Sequence, residues 1–148
     1  MDSTVERQRE VVARRIRGEN EHNWPAVYDT FVQDERAHYD VMPLGASFKG
    51  IDGVRGFYQA IAAALPDLHI EVVSEYDVPR CSIREVVITG THEGEFAGVQ
   101  PLGNRVQIEM AAFYTFDPAS GKLISERIYY DQASAVEQMQ RKQGSAVA

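Results

Sequence analysis

The sequence predicts an α+β fold in which one curved sheet wraps around helices and leaves a pocket between its concave face and those helices. Three observations predict it. Apolar residues recur at helical spacing before Pro66, runs that alternate or are rich in β-branched residues follow it, and a helical pattern returns from about Gln132.

Ser3 followed by Glu6 is a capping-box pattern, and Val5, Val12 and Ile16 form one stripe that Gly18 is expected to stop. A short second helix starts at "WPAVYDTFV", where Pro25 suits the first helical position because its missing N–H costs nothing there. "RAHYDVM" reads as a strand and "PLGASFKGIDG" as a loop rich in Gly and Pro. Asp52 is expected to cap a third helix whose stripe is Val54, Phe57, Tyr58, Ile61 and Leu65. Beyond Pro66, "LHIEVVSEYDV", "SIREVVITGTHEG", "NRVQIEMAAFYTFD" and "KLISERIYYD" read as four consecutive strands. The last helix presents Ala133, Val136 and Met139, with Asp131 as its cap.

The 148 residues carry no repeat and no linker, so one domain is expected, with a core over about 5–140 and a frayed tail over 141–148. Hydrophobic residues at 44% and charged residues at 25% match ordinary globular proteins. A net charge of -7 repels phosphate backbones, and no basic stripe offsets it, so no nucleic-acid partner is expected. "MDSTVERQREVVARR" lacks the apolar run of a signal peptide, and "AIAAAL" is too short to span a bilayer, so no membrane partner is expected either. The single Cys81 can form no internal disulfide, which suits a reducing cytoplasm. The histidines lack metal-ligand spacing, and there is no Gly-rich phosphate cradle and no nucleophile elbow. Neither a metal nor another cofactor is expected.

The order of elements, "GTHEGEFAGVQPLGNRV" with Gly90, Thr91, His92 and Gly94, and the pieces "FKGIDGVRGFY", "LPDLHIEV" and "ERIYYDQ" resemble the SnoaL-like polyketide cyclase family. That family lies within the nuclear-transport-factor-2-like or ketosteroid-isomerase-like superfamily. The resemblance implies a cone-shaped curved sheet, mixed or antiparallel, wrapped around N-terminal helices and enclosing an apolar cavity; it also implies a homodimer. His92 is expected to make a structural hydrogen bond in its turn. In the aldol-type cyclases of this family an aspartate lies two residues after a histidine on the last strand, with a second histidine on the preceding strand. Aligned on Asp131, those positions hold Ile128, Glu126 and, for the second histidine, a residue near Ala112. Neither Ile nor Ala transfers a proton, which argues against a cyclase using that pair.

The same alignment turns Glu126, Ile128 and Tyr130 inward, with Met110, Ala112 and Tyr114 from the strand before. It also suggests that His38 and Asp40, which share a strand face, point to the interior. An imidazole near a half-buried carboxylate is the simplest acid/base pair, so His38 and Glu126 are the expected catalytic pair, with Tyr130 or Tyr39 donating a hydrogen bond to an oxyanion. Trp24, Tyr39, Asp40, Met110, Ala112, Tyr114 and Ile128 are the expected binding residues, Trp24 at the cavity mouth. An inward Glu126 must be paired, protonated or working, and an arginine is one alternative partner.

The activity expected is cofactor-free acid/base catalysis on a small hydrophobic, carbonyl-bearing or polyketide-like compound, by isomerisation, cyclisation, dehydration or hydration. Two alternatives stand beside it: a non-catalytic small-molecule binding domain of the same fold, and a protein-interaction surface on the outer sheet face around Arg127 and Tyr129.

Overall fold

In the computed structural model the described residues run from 3 to 142, and of Ser3 only the backbone is described. The Ser3 capping box and the tail from residue 143 onward lie outside the described residues. Four α-helices and six strands follow one another in the order α1 (Ser3–Asn20), α2 (Trp24–Asp29), β1 (His38–Val41), β2 (Ala46–Lys49), α3 (Gly50–Ala64), β3 (His69–Val78), β4 (Cys81–Thr91), β5 (Arg105–Phe116), β6 (Leu123–Tyr130) and α4 (Gln132–Gln140). The strands make one sheet in the order β2-β1-β6-β5-β4-β3. Every neighbouring pair is antiparallel except β1 with β6, so the sheet is mixed. Register breaks between Val72 and Ser74 on β3 and between Thr115 and Phe116 on β5 are bulge-type irregularities of the kind that bend a strand. The sheet is curved and unclosed, and its concave face meets the helices: an α+β cone.

Helix α1 does not stop at Gly18. It continues to Asn20, and Gly18 instead lets α2 approach, since a Cβ there would lie 3.0 Å from Val27 Cγ2. The buried stripe of α1 holds Val12 and Ile16 together with Gln8, Arg15 and Glu19, so the face turned to the core is partly polar. In α2 the Asn23 side chain accepts from the Ala26 N–H, and Pro25 sits in the first turn.

The loop expected over 43–53 is more regular than its Gly and Pro content suggests. A single 3-10 turn (Met42–Leu44) ends at Gly45 with φ +60, and Ala46–Lys49 returns as β2 against β1. A four-residue strand leaves too few positions for a periodic pattern to register. Lys49, not Asp52, is the residue before α3; Asp52 lies in the first turn, where its side chain is exposed. In α4 the buried residues are Ala135 and Met139, and Ala133 is exposed, because the cap at Asp131, accepting from Ser134 N–H at 3.1 Å, sets the helix phase. Arg141, placed in the expected frayed tail, is held by the Asn104 side-chain amide.

Two apolar clusters fill the cone. One joins α1, α2 and α3 to the concave face and is centred on Val12, Phe31, Tyr58, Tyr114 and Ile128. The other, with Leu65, Leu68, Ile108 and Met139, sits under α4. No helix among the described residues is long and apolar enough to cross a membrane.

Candidate active site

Between the clusters a pocket of about 240 Å³ opens inside the cone. Side chains alternate across a strand, and that alternation brings Glu126, Ile128 and Tyr130 of β6 into the pocket beside Met110, Ala112 and Tyr114 of β5. Tyr39 and Val41 enter from β1, Phe57 and Ile61 from α3, and Arg15 and Glu19 from α1. Glu95, Phe96 and Ala97, on the loop between β4 and β5, complete the wall. Apart from the exposed Glu95 and the Tyr130 hydroxyl, the lining is apolar except for one concentrated set of polar groups, the usual composition of a ligand site.

That set is built on Arg15, whose side chain is 3% exposed. Its Nη2 lies 2.7 Å from Glu126 Oε1 and its Nη1 lies 3.0 Å from Glu19 Oε2. Arg15 also donates to the Tyr58 hydroxyl, from Nε at 3.0 Å and Nη2 at 2.8 Å, and to the Tyr114 hydroxyl at 3.3 Å. Glu126 accepts further hydrogen bonds from the Tyr58 hydroxyl at 3.2 Å and the Tyr39 hydroxyl at 3.3 Å. Three donors therefore converge on Glu126, while the Glu19 carboxyl group has Arg15 alone as a polar partner among the described residues.

Burial shapes the protonation of every member. Burial works against the Arg15 cation, but Glu126, Glu19, Tyr114 and Tyr58 together outweigh it, so Arg15 stays charged. Burial raises Glu126 above its ordinary range, opposed by Arg15 and by the hydrogen bonds from Tyr58 and Tyr39. Glu19 is pushed up to about 7 by burial, offset by Arg15 and reinforced by the charge of Glu126. Tyr39, Tyr58 and Tyr114 are raised as well, chiefly by burial, so they act as hydrogen-bond donors rather than acids.

The structure separates the residues expected to work together. His38 and Asp40 pair with each other across 3.6 Å on the opposite side of β1 from the pocket, and His38 Nδ1 lies 3.0 Å from the Arg36 carbonyl oxygen. The expected His38–Glu126 pair is therefore corrected. Parallel pairing sets Tyr39 beside Glu126 and Asp40 beside Arg127, so Tyr39 and Val41 take the inner face and His38 and Asp40 the outer one. Asp40 is no pocket residue: its carboxylate accepts from the Ser47 hydroxyl at 2.6 Å. Trp24 does not line the pocket either; it packs on both apolar clusters and its ring sits 5.9 Å from that of Tyr58. Tyr130 lines the pocket, but four residues along β6 set its Cα about 13 Å from that of Glu126 at roughly 3.3 Å per residue. Its hydroxyl is buried without a hydrogen-bond partner, and burial pushes its pKa up to about 12.

Sequence reasoning missed Arg15 and Glu19, and it read Tyr58 only as a packing residue. A signal existed. Positions 8, 12, 15 and 19 share one helical stripe, and three of them carry polar side chains where an apolar face was expected. No group of three or more His, Cys, Asp or Glu placed to hold a metal occurs among the described residues.

The family model for the SnoaL-like polyketide cyclases matches residues 9–139. A comparison with the curated proteins finds no match. Among solved structures, a candidate SnoaL-like polyketide cyclase from Jannaschia sp. CCS1 superposes with a TM-score of 0.85 at 17% identity, over 96% of this chain and 97% of that one. IdmH, a candidate polyketide cyclase from Streptomyces antibioticus, gives 0.72 at 19% identity over 88% and 96%. SalBIII, an epoxide hydrolase/cyclase-like enzyme tied to pyran ring formation in the polyether salinomycin, gives 0.72 at 20% identity over 87% and 94%. At these identities the structural matches establish the fold.

Proposed function

Because the chain belongs to the SnoaL-like polyketide cyclase family, we propose that it is an enzyme that moves protons within a small apolar compound carrying a carbonyl group, with Glu126 as the base. One observation carries this reading: a carboxylate 2% exposed, held by three donors, lines the apolar pocket. Away from water a carboxylate keeps more of its basicity, and a fixed set of donors orients it without reorganisation during the reaction. The carboxylate replaces the histidine that the family pattern places at this position, and Ile128 takes the place of the usual aspartate. Chemistry by a histidine–aspartate pair is therefore not part of the proposal. Tyr130, with its free hydroxyl further along the pocket, serves to anchor an oxygen at the far end of the ligand.

A second reading has its own support. Arg15 joins Glu126 in a closed network with tyrosine partners, and such a network also serves as the polar floor of a binding domain that catalyses nothing. The test is to incubate wild type and Glu126→Gln with a panel of apolar cyclic ketones in D2O, following conversion and deuterium uptake by mass spectrometry. The enzyme reading expects turnover by wild type and a loss of 10²–10⁴-fold in the variant, the usual contribution of a positioned base. Ketones bound equally by both proteins and altered by neither would select the binding domain.

A further inference from the structure

The pocket holds two buried carboxylates and one buried cation; its third carboxylate, Glu95, is exposed at the rim. Glu19, Arg15 and Glu126 are 3%, 3% and 2% exposed, so bulk water solvates none of their charges. Arg84 is already committed to Asp77 at 3.1 Å and Glu75 at 3.2 Å. A buried site with a single positive charge carries one negative charge readily and a second only at large cost. One proton therefore remains on the pair of carboxyl groups.

Hydrogen bonding decides where it stays. Glu126 receives Arg15, Tyr58 and Tyr39, all donors, which favour the ionised form. Glu19 meets only the second guanidinium nitrogen, through Oε2 at 3.0 Å, and receives no hydroxyl donor. The proton belongs on Glu19. Both groups line the same pocket at opposite ends of one guanidinium, so a loaded acid and an ionised base face one ligand.

We propose that Glu19 is a second catalytic residue of this site, a general acid that protonates the carbonyl oxygen of an enolisable apolar ketone while Glu126 removes the proton from the neighbouring carbon. This rests on the acid/base reading above. In the step, the C–H bond breaks towards a Glu126 oxygen, its electron pair forms a C=C bond, and the carbonyl π pair moves to oxygen. That oxygen forms an O–H bond with the proton leaving Glu19. The pair ends with the same single proton, now on Glu126. Return of that proton to the same carbon, with Glu19 taking back the one on oxygen, restores the ketone with its α-hydrogen exchanged; where the ketone is β,γ-unsaturated the enol is a conjugated dienol, and return to the γ-carbon instead shifts the double bond into conjugation. No outside proton source is needed.

Glu19→Gln tests the role, since the amide keeps a hydrogen-bond donor but has no proton to transfer. The first measurement is a ¹³C-carboxyl NMR titration of the wild-type protein with ¹³C-labelled glutamate, resonances assigned by Glu19→Gln and Glu126→Gln. The groups facing Glu19 are Arg15 on its own helix, Tyr58 on α3, Tyr39 on β1, Tyr114 on β5 and Glu126 on β6. The three tyrosines are raised by burial and stay neutral, so the titration near neutrality belongs to the carboxyl pair. Glu19 is expected protonated at pH 6 and ionised by pH 8; a Glu19 already ionised at pH 6 overturns the proposal.

The second measurement is deuterium exchange into 2-tetralone at a series of pH values. Wild-type exchange is expected to fall as pH rises through about 7, and Glu19→Gln to be slower by at least tenfold with that fall absent. Exchange by Glu19→Gln equal to wild type, with the same pH profile, also overturns it. Absence of exchange by wild type counts against the ketone reading and so against Glu19 as its acid, while the titration separately reports whether the proton is on Glu19.

Discussion

Arg15 is the residue on which the site's electrostatics depend, because it is the cation that offsets two buried carboxylates. Replacing it with methionine keeps an unbranched side chain of similar reach but leaves Glu19 and Glu126 without a charge partner, so both must take up protons on folding. Breaking a buried pair from one side typically costs about 3–5 kcal/mol. Arg15→Met is expected to lower the unfolding free energy measured by urea titration by an amount of that order at pH 7, with a lower midpoint, and Glu19→Gln in the same chain to recover part of it by removing one of the stranded acids. A midpoint within experimental error of wild type would show that Arg15 does not stabilise the pair. Glu126 was legible in the sequence because it stands on a long patterned strand with fixed parity. Arg15 and Glu19 were not singled out, since charged residues on an amphipathic helix ordinarily face water. His38 was misplaced for a related reason: β1 is four residues long, and its parity is set by register against β6, a non-local fact that no local pattern records.

At the scale of elements, the segment linking β4 to β5 is seated on the end of α3. The Ala64 carbonyl accepts from Glu93 N–H at 2.9 Å, and Asp67 accepts from Thr91 through the backbone N–H at 2.6 Å and the hydroxyl at 2.7 Å. The His92 ring, expected to make a structural hydrogen bond, has no partner among the described residues; the turn is held by backbone, with His92 N–H on Asn104 C=O at 2.8 Å and Gly103 N–H on His92 C=O at 3.1 Å. Gly94 is required by proximity, because a Cβ there would sit 2.4 Å from the Ala63 carbonyl oxygen and 2.8 Å from its carbon. Backbone cannot swing aside as a flexible side chain can, so Gly94→Ala must displace the loop or the helix end. Overpacking of this kind costs about 1–3 kcal/mol. A lower melting temperature and faster amide exchange at Glu93 and Gly94 are expected, and because Glu95, Phe96 and Ala97 line the pocket, weaker ligand retention should accompany them. A variant that melts with wild type and exchanges no faster would refute the close-approach argument. The helices around Val12 and Phe57 and the four long strands were readable because each repeats its period several times; β2 was missed because its four residues do not.

For the molecule as a whole, two sets of acids pull stability in opposite directions with pH. Asp34, Asp67 and Asp117 are held below their ordinary pKa, by the Arg36 side chain, by Thr91 and by Ser120 respectively. A lowered carboxyl pKa contributes stability that is present above the unfolded value and lost as pH falls through the folded one. Asp34 and Asp67 are exposed, so their effect is small and salt-sensitive, while Asp117 is buried beside its Ser120 and Ala119 donors. Glu19 has the opposite sign. Its folded pKa of about 7 exceeds the ordinary 4.5, so the folded state binds the extra proton, and the contribution is complete below 4.5 and lost as pH rises through about 7. The layout of one curved sheet around helices could be read from the order of periodic segments. This coupling could not, because it depends on α1 and β6 meeting at Arg15, 111 positions away from Glu126 along the chain. The melting temperature of wild type is therefore expected to decline between pH 6 and pH 8, and that of Glu19→Gln to stay level over the same window while keeping the acid-side decline. Added 0.5 M salt should reduce the acid-side decline and leave the neutral-side one, since the buried acid is shielded from ions. A wild-type melting temperature that is flat or rising from pH 6 to pH 8 would mean that the folded chain does not hold the additional proton.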